Sequence, residues 1–414
     1  MIWASCILVF ASAESASAFP AESGRMHRVD DDAFHLSVED DGGDESLPPK
    51  WRAWWYKRLD GVIIGRPTTI EVDRLSWAYP SVAFYSYDQH SWNSFEADEV
   101  ERPTSDTMSI RHIFSASPVW VAQREPFTAD DLDARLDAWK QQAGALAGVD
   151  FRVKQLGNSP DGAPVYMVTV GGCSGVSARQ QVWVHARVHP GEPQASWMAA
   201  GMVDFLLGDS PLAARARSRL TFYVVALWNV DGVARGHYRT NAGGQDLENL
   251  WDVTDPPAEV QLLRGAIEQA SSPEPFLAAL NLHSSHAPAR QPPFLFPHFG
   301  PESLGYAPEE ARLWQRQMEF AATVAEAVSP LPFAAYWADR SPPPAPDGRS
   351  FLAKAMPERW WWNWAGADVM AVTVEAVDGQ VGAGGRWARA DDARRLGGAL
   401  ACGLLALADA TDAG

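Results

Sequence analysis

The stretch that decides the fold is QVWVHARVHPGEPQASWMAAGMVDFLL, Gln181 to Leu207. Its first half alternates apolar and polar residues like a strand, and its second half carries a helical rhythm. Between them sit His189, Pro190, Gly191 and Glu192. An imidazole and a carboxylate three residues apart, across a strand-to-helix turn, can aim at one point. Both are good ligands for a divalent zinc ion.

Working outward, the pattern after residue 150 is α/β. Strands are expected at Val165–Val170, Val182–Val188, Leu220–Leu227, Leu277–Leu282 and Val369–Val377. Helices are expected at Gln194–Leu207, Ala258–Ala270, Pro308–Ala327 and Asp391–Ala408. Strands alternating with helices imply a mixed, mostly parallel sheet with helices on both faces. Ligand sites in such sheets lie at the carboxyl ends of strands. SPPPAPDG, Ser341 to Gly348, reads as a proline-rich loop.

Two further segments end strands with chemistry. PFLAALNLHSSH is a buried strand ending in His283, with His286 as an alternative ligand. Catalytic zinc sites use three protein ligands and keep one open position, so a third ligand completes the set. VMAVTVEAVDG, Val369 to Gly379, is apolar except for Thr373 and Glu375 before its final Asp-Gly. A carboxylate in such a strand needs a partner or a function, because isolated burial is costly. General-base work beside a metal would be a function.

The chain before this region is different. From Trp51 to Val121, GVIIGRPTTIEVDRL, PSVAFYSYD, DTMSIRHIFS and PVWVAQREP alternate, with Gly, Pro, Asn and Asp between them. They predict a small antiparallel β-sandwich. Thr128 opens a run with Leu132, Leu136 and Trp139 at helical spacing, a helix linking the two parts. The expected division is a signal peptide or disordered start at 1–24, an acidic segment and sandwich at 25–127, and the linker helix with a catalytic domain at 128–414.

Composition narrows the function. The net charge of −18 argues against a nucleic-acid partner, and no apolar run approaches the ~18 residues of an integral membrane segment. Residues 22–46 hold nine acids against two arginines and read as a solvated tail or edge. Cys6, Cys173 and Cys402 make no disulfide framework, and the sequence does not say whether Cys173 and Cys402 pair. Residues 1–18 combine an apolar stretch with Ala16-Ser17-Ala18 but carry no basic residue. Cleaved as a signal peptide, they place the protein in the periplasm or outside the cell; otherwise it is cytoplasmic.

These motifs carry a resemblance. ARVHPGEPQASW resembles the zinc-binding segment of the zinc metallocarboxypeptidases, closest to the cytosolic carboxypeptidase branch, some of whose members trim glutamates from protein tails. NVDGVARGHYRTNAGG resembles that branch's Asn-Pro-Asp-Gly-Val…Gly-His-Tyr-Arg-Thr, LNLHSSH its Asp-Leu-His-Gly-His, and VTVEA its Thr-Leu-Glu-Ala. YKRLDGV, FYSYDQHSW and VWVAQREPFTADDL resemble the β-sandwich that precedes the catalytic domain in that branch. The resemblance implies one zinc per chain, bound by His189, Glu192 and His283. It implies Glu375 as general base and acid, Arg239 as stabiliser of developing negative charge, and a peptide or protein C-terminus as substrate.

One motif departs. Where the family has Asp-Leu-Asn-Arg-Asn-Trp, this chain has Asp246, Leu247, Glu248, Asn249, Leu250 and Trp251. The family's Asn-Arg pair grips the substrate carboxylate, a task suited to a planar guanidinium. Glu248 and Asn249 occupy those substrate-binding positions here, and an acid would repel a carboxylate. Three readings follow: another arginine, Arg235 or Arg187, supplies the clamp; the enzyme hydrolyses amino-acid conjugates with a different end group; or the fold persists as a catalytically inactive binding module. PERWWWNWAGAD, Pro357 to Asp368, reads as a loop whose Trp360, Trp361, Trp362 and Trp364 either pack or line a pocket. The family's loop tyrosine is not found there.

Overall fold

The computed structural model describes residues 19–76, 82–172, 180–271, 275–285, 293–331, 333–335, 354–377, 379–381 and 386–413. The segment 1–18, Cys173, His286 and the loop Ser341–Gly348 lie outside the described residues.

The alternating N-terminal segments form two sheets around one apolar cluster. One contains β1 (Arg25–Asp30), β2 (Ala33–Ser37), β4 (Pro67–Asp73), β8 (Met108–Ile113) and β7 (Val100–Glu101), in the order β1-β2-β4-β8-β7. The other contains β3 (Tyr56–Leu59), β9 (Val119–Ala122), β5 (Phe84–Ser86) and β6 (Trp92–Ser94), in the order β3-β9-β5-β6. Leu36, Ile70 and Ile110 of the first pack with Leu59, Val119 and Val121 of the second. The period of two is visible in β4, where Thr68, Ile70 and Val72 are buried and Pro67 and Glu71 exposed. All pairings in this domain are antiparallel except β2 with β4.

The acidic stretch supplies the expected solvated edge in β1, the mostly exposed outer strand of the first sheet, and departs from a solvated tail beyond it. Part of it forms β1 and β2, while Asp40 and Asp41 are buried. Asp40 accepts hydrogen bonds from Arg52 Nε at 2.7 Å and Arg74 Nη2 at 2.7 Å, which offsets the cost of burying its charge. Residues 19–24 are also packed: Ala21 N donates to Ala234 O at 3.4 Å, and Glu22 pairs with Lys57 at 2.9 Å.

Helix α1 (Ala129–Ala145) is the predicted linker helix. Thr128 and Asp131 form a reciprocal capping box, and Leu132, Leu136 and Trp139 are its buried stripe. Beyond it an eight-stranded sheet is built from β10 (Val149–Asn158), β11 (Pro164–Gly172), β12 (Gln180–Ala186), β13 (Leu220–Val225), β14 (Phe276–Ser285), β15 (Phe294–Phe296), β16 (Ala334–Ala335) and β17 (Met370–Val377). Its order is β10-β11-β13-β12-β14-β17-β15-β16. The central run β13-β12-β14-β17 is parallel, while β10, β11 and β15 join antiparallel. The helices are α2 (Pro193–Leu206), α3 (Pro211–Arg219), α4 (Val230–Ala234), α5 (Ala258–Ala270), α6 (Pro308–Val328), α7 (Pro357–Ala365) and α8 (Ala390–Ala413).

Helix α7 occupies the stretch read as a loop. Trp360 and Trp361 are buried, and Trp360 stacks on Trp364 at 5.5 Å. These tryptophans pack against one another, Trp251 and Phe276. Helices α2 and α8 approach closely at two glycines. A Cβ built on Gly201 would overlap the Arg394 backbone, and one on Gly397 would overlap the Met198 carbonyl. This approach seats α2, whose first turn follows Glu192. Among the described residues no helix is long and apolar enough to cross a membrane.

Candidate metal centre

Three neighbouring parallel strands bring the predicted residues together at their carboxyl ends. His189 and Glu192 lie on the turn from β12 to α2, His283 on β14 and Glu375 on β17. His283 and Glu375 are register partners, so their side chains share one face of the sheet. His189, Glu192 and His283 are buried, and one ligand atom from each falls within 4.8 Å of the others.

The turn is tightly specified. Arg187 sits at φ 73° and donates to Pro190 O at 2.7 Å, Phe127 O at 3.0 Å and Ser196 Oγ at 3.1 Å. Gly191 N donates to Tyr238 O at 2.7 Å, and a Cβ there would overlap the Tyr238 ring and crowd Trp54. Only glycine allows that approach.

Each imidazole has two distinct sides. His189 Nδ1 lies 2.9 Å from Glu192 Oε1, and its Nε2 lies 3.2 Å from Asp246 Oδ1. His283 Nδ1 lies 3.1 Å from Glu192 Oε2. Its Nε2 is 3.3 Å from Glu248 Oε2, an ion-pair contact off the hydrogen-bonding direction. Glu192 Oε2 also accepts the Ser284 N–H at 3.1 Å. Both rings thus turn Nδ1 toward Glu192 and Nε2 toward an outer carboxylate. That is the carboxylate–histidine–metal pattern, in which the outer group fixes the tautomer and raises ligand basicity. The buried N, O, N donor set fits a zinc ion with an open position.

The electrostatics agree. Burial alone would depress His283, but Glu248 and Glu192 outweigh it and hold its pKa well above the usual value. Burial and Arg239 oppose protonation of His189, and Glu192 with Asp246 overcome them. Burial would raise Glu192, yet His189 and His283 pull it well below the normal carboxylate range. A dication suits a pocket with this surplus of negative charge. Glu375 behaves oppositely. The residue is half-buried, but its Oε2 is shut off from solvent and accepts no hydrogen bond from a described residue. Burial pushes its pKa up to about 8.

Arg239 lies beside this set. Its Nε donates to Asp246 Oδ2 at 2.9 Å, and its guanidinium sits 5.2 Å from the Trp51 ring centre. Asp246 therefore bridges His189 and Arg239. Burial raises the Asp246 pKa, but His189 and Arg239 more than reverse this and hold it well below its usual value.

Glu248 and Asn249 are placed differently from each other. Asp246 accepts the Glu248 N–H at 3.2 Å and caps the single turn Leu247–Leu250. That turn points Glu248 inward, behind His283, where Glu248 Oε1 accepts from Asn281 Nδ2 at 3.0 Å. Asn249 is half-buried, its Nδ2 3.4 Å from Asp246 Oδ2. The two arginines considered as clamps are occupied elsewhere: Arg187 holds the turn, and Arg235 forks onto Asp161 with contacts of 2.6 to 2.9 Å.

Sequence reasoning missed a second polar row, one pleat behind the first. Asn281 pairs in register with His185 on one side and Thr373 on the other. Glu358 of α7 closes the row, accepting from Thr373 Oγ1 at 2.5 Å and Asn281 Nδ2 at 3.4 Å. The signal was present: His185, Asn281 and Thr373 are polar interruptions of buried strands, and Asn281 and Thr373 stand two residues before His283 and Glu375.

Comparison with known proteins decides the family. The family described as "Zinc carboxypeptidase" matches residues 137–283, and that described as "Cytosolic carboxypeptidase N-terminal domain" matches residues 17–123. The chain belongs to the zinc metallocarboxypeptidases. It falls in their cytosolic carboxypeptidase-like branch, and zinc is the family's metal. An uncharacterized protein of Zymomonas mobilis is 28% identical over 247 residues, 58% of this chain and 59% of its own length. Cytosolic carboxypeptidase 2 of Danio rerio is 40% identical over 145 residues, 34% of this chain and 20% of its own. The chain thus spans less than two thirds of these relatives. A metallo-carboxypeptidase from Burkholderia cenocepacia superposes with TM-score 0.76 at 23% identity, covering 96% of this chain and 98% of that one. One from Pseudomonas aeruginosa, solved with (2-guanidinoethylmercapto)succinic acid, gives 0.75 at 19%, covering 95% and 98%. At those identities the likeness concerns the fold, and this chain shares its overall architecture with them.

Proposed function

We propose that the chain is a zinc-dependent hydrolase that removes C-terminal residues from peptides or proteins. The observation that carries this reading is the His189, Glu192, His283 donor set with Glu375 in register beside His283. Zinc bound by those three residues supplies a Lewis acid for carbonyl and water chemistry.

The protein's own groups account for the rest. Glu375 carries a carboxyl whose Oε2 accepts no other described proton donor, so it is free to take a proton from water and pass it to the departing amine. Its raised pKa brings it close to neutrality, where a group both accepts and returns a proton effectively. Arg239, oriented by Asp246, offers fixed positive charge where the carbonyl oxygen gains negative charge. Asp246 and Glu248 hold the outer nitrogens of the two histidines.

A second reading is favoured by Asn249 and by the engagement of Arg187 and Arg235. It keeps the same hydrolysis but acts on conjugates whose end group needs no second guanidinium. One experiment separates the readings: turnover of a peptide library with free and amidated C-termini, read by mass spectrometry, with Glu375→Gln as control. Loss of single residues from free ends supports the carboxypeptidase, with turnover falling about 10²–10⁴-fold in Glu375→Gln while zinc is retained. Cleavage of amidated or conjugated ends alone supports the second reading. Ligand binding without turnover in either form would leave a binding module and refute both.

A further inference from the structure

The acidic stretch of the N-terminal domain reaches the catalytic domain at one carboxylate. Asp41 Oδ1 accepts the Tyr238 N–H at 2.6 Å. Its Oδ2 accepts the Arg239 N–H at 2.8 Å, the Thr240 N–H at 2.7 Å and the Thr240 Oγ1 hydroxyl at 3.0 Å. Three successive backbone N–H groups converging on an anion form a nest. Here the anion comes from the other domain.

We propose that Asp41 is a positioning residue for Arg239, so that the β-sandwich domain completes the catalytic site. The inference rests on Arg239 serving the hydrolysis proposed above. Asp41 is buried, and its neighbour Asp40 is tied back to the sandwich by Arg52 and Arg74 at 2.7 Å each. The clamp is therefore anchored, not a swinging side chain. It fixes the backbone from which the Arg239 side chain departs. Two further contacts fix the far end: Asp246 on the Nε at 2.9 Å, and the face of Trp51 at 5.2 Å from the guanidinium carbon. Trp51 also belongs to the N-terminal domain. A guanidinium held at its backbone, its Nε and its flat face has few rotamers left. Charge that must meet a transition state gains from such preorganisation. A short carboxylate suits the nest because two oxygens serve four donors, and a neutral amide offers only one acceptor oxygen.

The test uses the full zinc-loaded chain with Asp41→Ala and the shape-preserving Asp41→Asn, each alone and combined with Arg239→Ala. Hydrogen exchange at Tyr238–Thr240 should accelerate at least tenfold in Asp41→Ala, with β12, β14 and zinc content unchanged. kcat should fall about 10- to 100-fold, the scale of an ångström-sized misplacement, with KM altered less, and Asp41→Asn should fall in between. In the Arg239→Ala background the Asp41 substitutions should change kcat less than twofold, because the group they position is gone. Equal loss in both backgrounds, or unchanged exchange at Tyr238–Thr240, overturns the proposal. Should Asp41→Ala not fold, the Asp41→Asn cycle decides on the same criteria. A wild type that hydrolyses neither peptides nor amino-acid conjugates overturns the hydrolytic reading by itself, and the exchange measurement then decides the clamp.

Discussion

Glu358→Gln probes the electrostatics behind the metal ligands. Glu358 is buried. Its Oε1 takes the Thr373 and Asn281 donors, and its Oε2 accepts no hydrogen bond from a described residue. Burial, reinforced by the negative charge of Glu248, pushes its pKa up to about 7 from 4.5. The folded chain therefore keeps a proton that the unfolded chain releases between those values. The sign follows from linkage: the group's stabilising contribution is complete below about pH 4.5 and is lost as pH rises through about 7. At 1.36 kcal/mol per unit, the full loss is about 3 kcal/mol. Glutamine keeps the shape and carries no charge at any pH. The variant should exceed the wild type by only about 1 kcal/mol at pH 5 and by up to about 3 kcal/mol at pH 8.5. For 414 residues, at ~2.1 cal/mol/K per residue, that is roughly 3 °C in Tm. Calorimetry of the zinc-loaded chain from pH 5 to 8.5 reads the difference. A pH-independent difference, or a variant less stable at pH 8.5, would refute the reasoning.

Other perturbations have equally definite outcomes. His189→Ala should reduce bound zinc from about one per chain to a trace by elemental analysis; full retention would exclude His189 as a ligand. Glu248→Gln should weaken zinc binding about 10- to 100-fold in chelator competition without altering the choice between free and amidated C-termini, because Glu248 stands behind His283. A changed end-group preference would instead put Glu248 on the substrate wall. Gly397→Ala should destabilise the chain by about 1–3 kcal/mol or more in denaturant unfolding, since its methyl would overlap the Met198 carbonyl; a neutral effect would mean that α2 and α8 separate easily.

Much of the site was legible because its residues break patterns. His189 and Glu192 interrupt a strand-to-helix junction, and His283 and Glu375 interrupt apolar strands. The structure gathers all four on the carboxyl ends of β12, β14 and β17. What stayed hidden depended on direction. The departure at Glu248 is readable as a letter but not as an orientation, which is set by the cap of Asp246 on the following turn. Asp41 looks like any member of a charged run, and only its partners far along the chain distinguish it. Strand β10 escaped notice because none of its residues is buried at the sheet edge, and α7 because its tryptophans resemble a ligand loop. Asn281 and Thr373 were overlooked because their register partners become adjacent only when the sheet forms.

The pairing of His283 with Glu375 in register has a consequence for how the protein is made. Their strands are neighbours in the sheet but far apart along the chain, and His189 and Glu192 lie farther still from Glu375. No short nascent segment can present the donor set with its base, unlike small modules whose ligands sit a few residues apart and fold around the ion. Closing such distant contacts is a late and slow event in synthesis. The metal therefore meets a pocket already shaped by the sheet. Its selection becomes a matter of fit to donors that only the assembled sheet brings together, and of cellular supply.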